Sequence, residues 1–311
     1  MLLSFRSGKA ASLRTRSIAS VLVLSALVGQ ANALGITASY DATILGNAAA
    51  KATLDQLVSD YNAKFSDTTA INISFGNMGS GLGQSNTSYF HLNYSDYLAA
   101  LNSHKMSADD TAALAQIASK PFTTSTQVWV TTALAETLGL ATFTGTDSSI
   151  SLNLGLCFTG HTTPVAGQFD LYSVAAHELD EALGTSSGVD STIGGNGGPF
   201  AADVFRYDGA GNRSFTNDTT KHAWFSIDGT TNIVEYNQFG RTTGDWGDWV
   251  IHNPGQTQDW AGTPGVVISP GASEFRLLDV VGYNTKAVPE PSTFAALGLG
   301  ALAVLRRRRA R

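Results

Sequence analysis

The spacing of apolar residues predicts both helices and strands in the first half of the chain. Apolar side chains recur every three or four residues between 47 and 65, which predicts an amphipathic helix there. Apolar and polar residues alternate from 71 to 75 and, most clearly of all, from 149 to 158, so both segments are predicted to be strands. The Gly-, Ser- and Asn-rich stretch at 79–88 is predicted to be a loop.

Shorter elements are predicted between these segments. Ser107 and Asp110 have the spacing of a capping box, which predicts a helix that starts at Ser107 and ends before Pro121. The other patterns in this interval predict two short helices and one strand, at 94–101, 133–138 and 128–130 respectively.

A helix predicted at 171–183 separates two halves of different character. Asp170 is its candidate N-cap, and Gly184 stands at its C-terminal end. Beyond a Gly-rich loop at 184–199, short strands flank Gly-containing turns and are predicted to form hairpins. The later segments are strands at 204–207, 213–215, 223–227 and 233–236, a loop at 239–272 and a closing helix at 274–281. The fold class is therefore predicted to be α+β, with a mixed sheet before the central helix and hairpins after it.

Composition and charge exclude several classes of protein. Hydrophobic residues form 43% and charged residues 14% of the 311 residues, which is too apolar for a disordered chain. Cys157 is the single cysteine, which excludes a disulfide within one chain and an all-cysteine zinc cluster. Both ends of the chain are basic and the body between them is strongly acidic, so nucleic acid is not an expected partner.

The first 33 residues have the organisation of a secretory signal peptide. Cations precede an apolar run at 18–28, and an Ala-Asn-Ala sequence at 31–33 matches a cleavage site. An apolar run of this length is too short to span a bilayer, which takes about 20 helical residues. Residues 1–33 are therefore predicted to be removed, leaving a folded domain at 34–287.

The C-terminal segment 288–311 contains three features in order. They are Pro-Glu-Pro at 289–291, an apolar run at 294–305 and four arginines at 306–309. An apolar helix followed by a basic cluster is expected to stop in the membrane with its basic end in the cytoplasm. The organisation resembles the PEP-CTERM sorting signal of Gram-negative bacteria. The resemblance implies export through the inner membrane, a transient membrane anchor and processing by an exosortase. The protein would then reach the cell surface or the extracellular space, with exopolysaccharide as a candidate partner.

The central helix carries a candidate metal motif. His177 and Glu181 lie one turn apart, on nearly the opposite side from the apolar stripe, and Glu178 is at the edge of that pair. Two ligands at i and i+4, with a carboxylate at i+1 to hold the attacking water, form a helical zinc site. The alternative interpretation is a solvated acidic face with an incidental histidine. However, no Lys or Arg in the helix balances the acids, and like charges are costly when desolvated unless a cation joins them.

The motif from His177 to Gly184 reads H-E-x-x-E-x-x-G and resembles the metzincin branch of the zincin metalloproteases. It resembles more closely the metalloproteases that carry PEP-CTERM tails. The same resemblance extends to the segments 203–207, 213–215, 224–229, 244–249 and 278–284. It implies a zincin-like domain that binds Zn²⁺ through His177 and Glu181, uses Glu178 as general base and hydrolyses a protein or peptide substrate.

Three departures from the metzincin pattern concern the metal site. Glu181 replaces the second histidine, Ser187 occupies the position of the third ligand, and no methionine follows the helix to form a Met-turn. The third ligand is therefore expected from Asp190, Asp203 or His222. Asp203 is ranked first because it opens a family-like segment directly after the Gly-rich loop. Its alternative role is that of a cap or turn acid.

The predicted function is that of an exported zinc-dependent endopeptidase. The alternative is a non-catalytic cell-surface or exopolysaccharide-matrix protein that retains a zincin scaffold, which the substituted ligand positions favour. A G-x-S-x-G match at 184–188 follows a helix instead of a strand, so no nucleophile elbow is predicted there. Trp224, Trp246, Trp249 and Trp260 are expected either to line a groove or to belong to the core.

Overall fold

A mixed β-sheet with helices packed on it forms the first part of the domain in the computed structural model, which describes residues 34–120, 127–190 and 198–286. The predicted signal peptide at 1–33 and the predicted sorting signal at 288–311, with its membrane helix, lie outside the described residues. Within the described ranges, no helix has the length and apolar character needed to cross a membrane. The architecture is α+β, as predicted.

The strands of the described residues form four sheets. In chain order the strands are β1 (Gly35–Tyr40), β2 (Ala70–Asn77), β3 (Gly83–Thr87), β4 (Tyr89–Asn93), β5 (Gln127–Thr131), β6 (Ser148–Leu152), β7 (Cys157–Phe158), β8 (Phe169–Asp170), β9 (Arg206–Tyr207), β10 (Trp224–Phe225) and β11 (Val234–Glu235). In the largest sheet β1, β2 and β6 are adjacent and parallel, and β3 pairs antiparallel with β6 at the edge. The mixed sheet before the central helix is thus confirmed.

The predicted helices are present, and local caps mark several of their ends. The α-helices are α1 (Ala42–Leu45), α2 (Ala48–Lys64), α3 (Tyr94–His104), α4 (Ala108–Ser119), α5 (Thr132–Thr137), α6 (Leu171–Asp180) and α7 (Ala272–Val281). The capping box at α4 forms as predicted: Ser107 Oγ accepts from the backbone N–H of Asp110 at 2.8 Å, and Asp110 Oδ2 accepts from that of Ser107 at 2.9 Å.

Two predictions about the sheet are wrong. The segment 79–88 is not a loop throughout, because it contains the edge strand β3. Backbone hydrogen bonds to one neighbour hold an edge strand while alternate side chains remain in solvent, so β3 forms without apolar alternation. The strand predicted at 149–158 is interrupted: β6 ends at Leu152, a turn leaves Leu156 43% exposed, and β7 follows separately.

Helix α6 packs against α2 and against the strands β3 and β6. Ala175 and Leu179 are fully buried on its core side. Asp180 is fully buried as well, and its Oδ1 accepts a hydrogen bond from the hydroxyl of Tyr61 in α2 at 2.6 Å. Burial raises the pKa of Asp180 to about 8, although hydrogen bonds from Tyr61 and Gln258 oppose the shift. Asp180 is therefore a core contact between two helices.

The second half of the chain contains one predicted hairpin in a shortened form, β10 with β11, whereas the strand predicted at 213–215 is reduced to an isolated bridge between Tyr207 and Arg213. Strands β9, β10 and β11 form an antiparallel sheet, but the start of the strand predicted at 204–207 is the 3-10 helix Ala202–Phe205. Arg206 in β9 is fully buried and donates a hydrogen bond to the carbonyl oxygen of Trp246 at 2.8 Å. The planar, permanently charged guanidinium makes this a rigid anchor. Arg206 thereby positions the loop that contains Asp248.

Candidate metal centre

Helix α6 and the turn after it position the residues of the predicted zinc motif. Asp170 caps the start of the helix by accepting a backbone hydrogen bond at 3.1 Å. The helix continues into a single π-helical turn, Glu181–Thr185, in which Gly184 has a φ of 132°, a conformation that favours glycine. His177 Nε2 and Glu181 Oε1 lie 3.9 Å apart, so the pair shares one face as the spacing predicts.

Asp248 forms a group of three candidate metal ligands with His177 and Glu181. Asp248 Oδ1 lies 3.4 Å from His177 Nε2. One donor atom from each of the three residues lies within 4.8 Å of the donor atoms of the other two. Among the described residues, these three form the candidate group of metal ligands. The three side chains are 18%, 11% and 5% exposed for His177, Glu181 and Asp248. One nitrogen and two oxygen donors therefore converge in a largely desolvated place.

A hydrogen bond at Nδ1 of His177 determines the protonation of the ring and leaves Nε2, the nitrogen near the carboxylates, able to bind a cation. Nδ1 lies 2.9 Å from the carbonyl oxygen of Thr257. A carbonyl oxygen only accepts, so Nδ1 carries a proton and Nε2 is the nitrogen that can bind a metal. Burial disfavours the charged imidazole, but the carboxylates of Asp248 and Glu181 outweigh that effect and raise the pKa of His177 well above its ordinary value. The position at Nε2 therefore attracts a cation, either a proton or a metal ion.

The Oδ1 atom of Asp248 is buried and has no hydrogen-bond donor among the described residues. The other oxygen, Oδ2, accepts from the backbone N–H of Asp245 at 2.9 Å. A buried carboxylate oxygen without a partner is costly, and 3.4 Å to His177 Nε2 is too long for a good hydrogen bond. A metal ion bound to both atoms would satisfy this oxygen, so the donor set fits a metal.

The acidic residues of α6 do not form a solvated helix face. Glu178 and Glu181 are only 7% and 8% exposed, and Asp180 faces the core. Burial raises the pKa of both glutamates. Among the described residues, no Lys or Arg forms an ion pair with either of them. Buried carboxylates grouped around one imidazole favour the binding of a cation.

The edge strand β3 fixes both glutamates from the sheet side. Ser85 Oγ donates a hydrogen bond to Glu181 Oε2 at 2.6 Å. A Cβ atom at Gly83 would lie 2.4 Å from Glu178 Oε1 and 2.9 Å from Val174 Cγ1. The strand therefore passes directly over Glu178, and a glycine at position 83 leaves room for that carboxylate.

A cavity of about 200 Å³ opens beside His177 and Glu178. Its other lining residues include the apolar Leu82, Val174 and Ile268 and the acidic Asp245, Asp248 and Asp259. Of the four tryptophans considered from the sequence, Trp260 lines this cavity, whereas Trp249 is fully buried and Trp246 is 8% exposed. The cavity is large enough to bring a small part of a substrate next to the motif.

Asp203, predicted as the third ligand, lies outside the group of three. Its buried carboxylate accepts a hydrogen bond from Ser187 Oγ at 2.5 Å. The backbone N–H groups of Gly188 and Phe200 donate to it at 2.7 Å and 2.9 Å. Asp203 is therefore a turn acid that holds the segment after α6, which was the alternative to its role as a metal ligand. Ser187, at the position of the third metzincin ligand, donates a hydrogen bond to it.

The other two candidates for the third ligand are also engaged elsewhere. Asp190 accepts a hydrogen bond from the side chain of Asn217 at 3.0 Å. His222 Nδ1 lies 2.5 Å from Glu235 Oε1 on the hairpin sheet. Sequence reasoning misses Asp248, because no local spacing connects it to α6. The signal that could have identified it is the Gly-Asp-Trp-Gly-Asp-Trp segment at 244–249, which carries part of the family resemblance.

Comparison with family models matches residues 287–309 to the PEP-CTERM protein-sorting motif. Comparisons with curated proteins and with solved structures find no match. The sorting motif implies export, membrane-anchored sorting to the cell surface and processing by an exosortase, as the sequence predicts.

Proposed function

We propose that the chain is an exported zinc-dependent endopeptidase with a zincin-like fold, in which His177, Glu181 and Asp248 bind the metal. The observation that carries the proposal is the buried Oδ1 of Asp248, which has no hydrogen-bond donor among the described residues and lies 3.4 Å from Nε2 of His177. An oxygen in that position is explained by a cation that the three side chains share. Imidazole is a typical zinc ligand, and carboxylates are acceptable zinc ligands.

The remaining residues of the site have separate roles. A bound zinc ion would polarise the scissile carbonyl group and lower the pKa of its water. Glu178 accepts the proton of the attacking water and passes it to the leaving amine. Burial raises the pKa of Glu178, which moves its basicity toward neutral pH, where both transfers are possible. Thr257 holds the His177 ring through Nδ1, and Ser85 holds Glu181.

The free edge of β3 supports a peptide as the substrate. Among the described strands β3 pairs only with β6, so its other edge carries no strand there and can accept an added one. An extended peptide can bind such an edge through main-chain hydrogen bonds, largely independent of its sequence. Gly83 of β3 lies directly over Glu178. A peptide paired with β3 would therefore pass beside the general base.

Metal content and proteolysis, measured on the same preparation of the exported protein, test the proposal. The expected result is about one zinc per chain by elemental mass spectrometry, with casein cleavage that a chelator abolishes and added zinc restores. The matched control is His222→Gln, because His222 also pairs with a carboxylate but lies on the hairpin sheet. That variant should keep both properties. Zinc without cleavage of any protein would favour the alternative, a cell-surface or exopolysaccharide-matrix protein on a zincin scaffold. Neither zinc nor cleavage would reject the proposal.

A further inference from the structure

Three residues outside the metal centre have the arrangement of a nucleophilic serine, its base and the acid that orients the base. His161 Nε2 lies 2.8 Å from Ser269 Oγ, and His161 Nδ1 lies 2.5 Å from Asp170 Oδ2. The serine and the carboxylate thus bind opposite nitrogens of one imidazole ring. None of the three is a member of the candidate metal-ligand group.

The chemistry of the partners determines where the protons lie. Asp170 is only 2% exposed and its carboxylate can only accept while it is ionised, so the proton of His161 is on Nδ1. Nε2 then presents a lone pair, and the hydroxyl of Ser269 donates to it. This is the protonation state in which an imidazole removes a proton from a serine as the oxygen attacks.

Two members of this triad, Asp170 and His161, are held in place by further contacts. Asp170 accepts from the backbone of Tyr172 at 3.1 Å, and the ring of Tyr172 stacks on that of His161 with centroids 3.9 Å apart. His161 has a φ of 47°, in the left-handed region that non-glycine residues rarely adopt. Such strain costs about 1–3 kcal/mol and persists only where the surroundings enforce it, often at functional sites.

Ser269 is exposed, so an external reagent can reach its oxygen. The preceding residue, Ile268, lines the cavity beside the metal centre. The triad therefore combines a buried acid, a half-buried base and an exposed hydroxyl, with the nucleophile bonded to the base and the base bonded to the acid that orients it.

We propose that Ser269, His161 and Asp170 form a second catalytic site, which hydrolyses aryl esters of short carboxylic acids through an acyl-serine intermediate. Ser269 Oγ bonds to the acyl carbon, its proton moves to His161 Nε2, and the bond from the acyl carbon to the phenolate breaks. The proton then leaves His161 to the phenolate or to solvent. Water next bonds to the acyl carbon and gives a proton to Nε2, the bond to Oγ breaks, and Nε2 returns the proton to Ser269. The net reaction consumes an ester and water and yields a carboxylic acid and a phenol.

Aryl esters are the substrate class because their chemistry requires little beyond the triad. Their carbonyl carbon is already electrophilic, and the phenolate leaves without needing a proton. The activity requires no metal, so it goes beyond the proposed peptidase and is independent of it.

A fluorophosphonate probe, applied to the full chain in excess chelator, tests the triad directly. With this probe Ser269 Oγ bonds to phosphorus, fluoride leaves, and the proton passes to His161. We expect one adduct per chain, mapped to Ser269 by peptide mass spectrometry. Nitrophenyl acetate should be hydrolysed in the same buffer, and labelled protein should lose that activity. The chelator removes any contribution of the metal centre.

Two variants separate a catalytic triad from a hydrogen-bonded contact between loops. Ser269→Ala should abolish the adduct and the esterase activity. His161→Gln should slow labelling by at least about 10²-fold, the lower range for loss of a general base. Ser103→Ala is the matched control, since the Ser103 hydroxyl is exposed and donates only to a helix carbonyl at 2.9 Å, and it should label like the wild type. A wild-type chain without a Ser269 adduct, or labelled no faster there than at Ser103, would overturn the proposal whatever the variants do.

Discussion

At the scale of single residues, Glu181 stands where the H-E-x-x-H pattern has a second histidine. This difference changes the charge of the candidate metal centre more than its geometry. Glu181 Oε1 lies 3.9 Å from His177 Nε2, and Ser85 fixes its other oxygen at 2.6 Å. Glu181 and Asp248 together would neutralise a divalent cation, whereas a histidine in place of Glu181 would leave one positive charge. A zinc ion held by these three residues would therefore acidify its water less than one held by two histidines and Asp248, and more of the proposed proton transfer would depend on Glu178.

The two glutamates of the motif are expected to differ when each is changed to glutamine. Glu178→Gln leaves the ligands in place, so zinc should remain bound while turnover falls by about 10²–10⁴-fold, as expected for loss of a general base. Glu181→Gln removes a charged ligand and should release zinc together with activity. Elemental mass spectrometry and casein cleavage on the same samples measure both effects. Equal zinc content in wild type and Glu181→Gln would contradict the role of Glu181 as a ligand.

Asp248 and Asp203 provide a comparison between two buried aspartates. Asp248→Asn should weaken zinc binding by more than the roughly 10–100-fold that loss of an outer-shell partner costs, because a charged ligand is lost. Asp203→Asn should leave the zinc affinity of the folded protein unchanged, since Asp203 bonds to Ser187 and to backbone donors of its loop. Competition with a chromogenic chelator measures the affinity. Retention of zinc by Asp248→Asn with loss by Asp203→Asn would reverse the assignment.

Sequence reasoning identifies the residues whose neighbours are local and misses the one whose neighbour is distant. His177, Glu178 and Glu181 are predictable as a group because the pitch of a helix alone places them together. Asp248 is not, because its position depends on the bond from buried Arg206 to the carbonyl oxygen of Trp246. Nothing in the spacing of that loop indicates where the anchor lies.

At the scale of elements, the edge strand β3 positions Glu178, the proposed general base, and pairs with only one neighbour among the described strands. Even a methyl group at position 83 would approach Glu178 Oε1 to 2.4 Å. Since β3 is also bonded through Ser85 to Glu181, the strand and α6 orient the motif together.

Gly83→Ala is expected to displace the Glu178 carboxylate while leaving the metal ligands in place. We expect kcat to fall by about 10²-fold, as a displacement of about 1 Å in a catalytic group can cause, with zinc content unchanged. Gly79→Ala is the matched control in the same segment, because a Cβ there meets no atom within 4 Å. Casein cleavage with parallel zinc analysis measures the effect. Full activity in Gly83→Ala would show that β3 does not constrain Glu178.

The buried carboxyl group of Asp279 in α7 is expected to make the domain less stable as the pH rises. Burial raises the pKa of Asp279 above its ordinary value of about 3.9, although the hydrogen bond that Oδ2 accepts from Ser107 Oγ at 2.6 Å favours the ionised carboxylate and opposes the shift. The folded state therefore binds this proton more tightly than the unfolded state does. The resulting stabilisation is complete below about pH 4 and is lost as the pH rises through the folded pKa.

Asp279→Asn removes that titration, so the free energy of unfolding of the wild type should fall relative to the variant as the pH increases from 4 to 8. Urea unfolding of both proteins at several pH values measures the difference, in which contributions from other groups cancel. A constant difference across this range would show that Asp279 ionises normally in the folded protein.

Helices are predicted better than strands in this chain, and the reason is physical. The ends of α4 and α6 are set by side chains within three residues, Ser107 with Asp110 and Asp170 with the N–H of Tyr172. Strand β3 depends on a partner, β6, that lies far away in sequence, and its Gly- and Asn-containing segment has no apolar face to reveal it.

At the scale of the whole molecule, the end of the described domain is attached to the C-terminal end of α2 and the segment after it. The backbone N–H of Lys286 donates to the carbonyl oxygen of Lys64 at 2.8 Å, and the N–H of Asn284 donates to buried Asp67 Oδ2 at 2.8 Å. These bonds fix the chain up to the residue that precedes the matched sorting motif at 287–309. Removal of the tail beyond the Pro-Glu-Pro sequence would therefore leave every one of these domain contacts in place.

In a host that contains an exosortase, the exported protein is expected to lose the segment after about Pro291. Intact-mass spectrometry should show a chain without the arginines at 306–309, and the thermal unfolding midpoint should equal that of the full chain, because the bonds at Asn284 and Lys286 are retained. Glu290→Ala alters the Pro-Glu-Pro sequence without changing the described domain, and it should leave the tail attached in the same host. A mature wild-type protein that still carries all four arginines would show that the sorting motif is not processed. A lower unfolding midpoint after cleavage would show instead that the tail supports the domain.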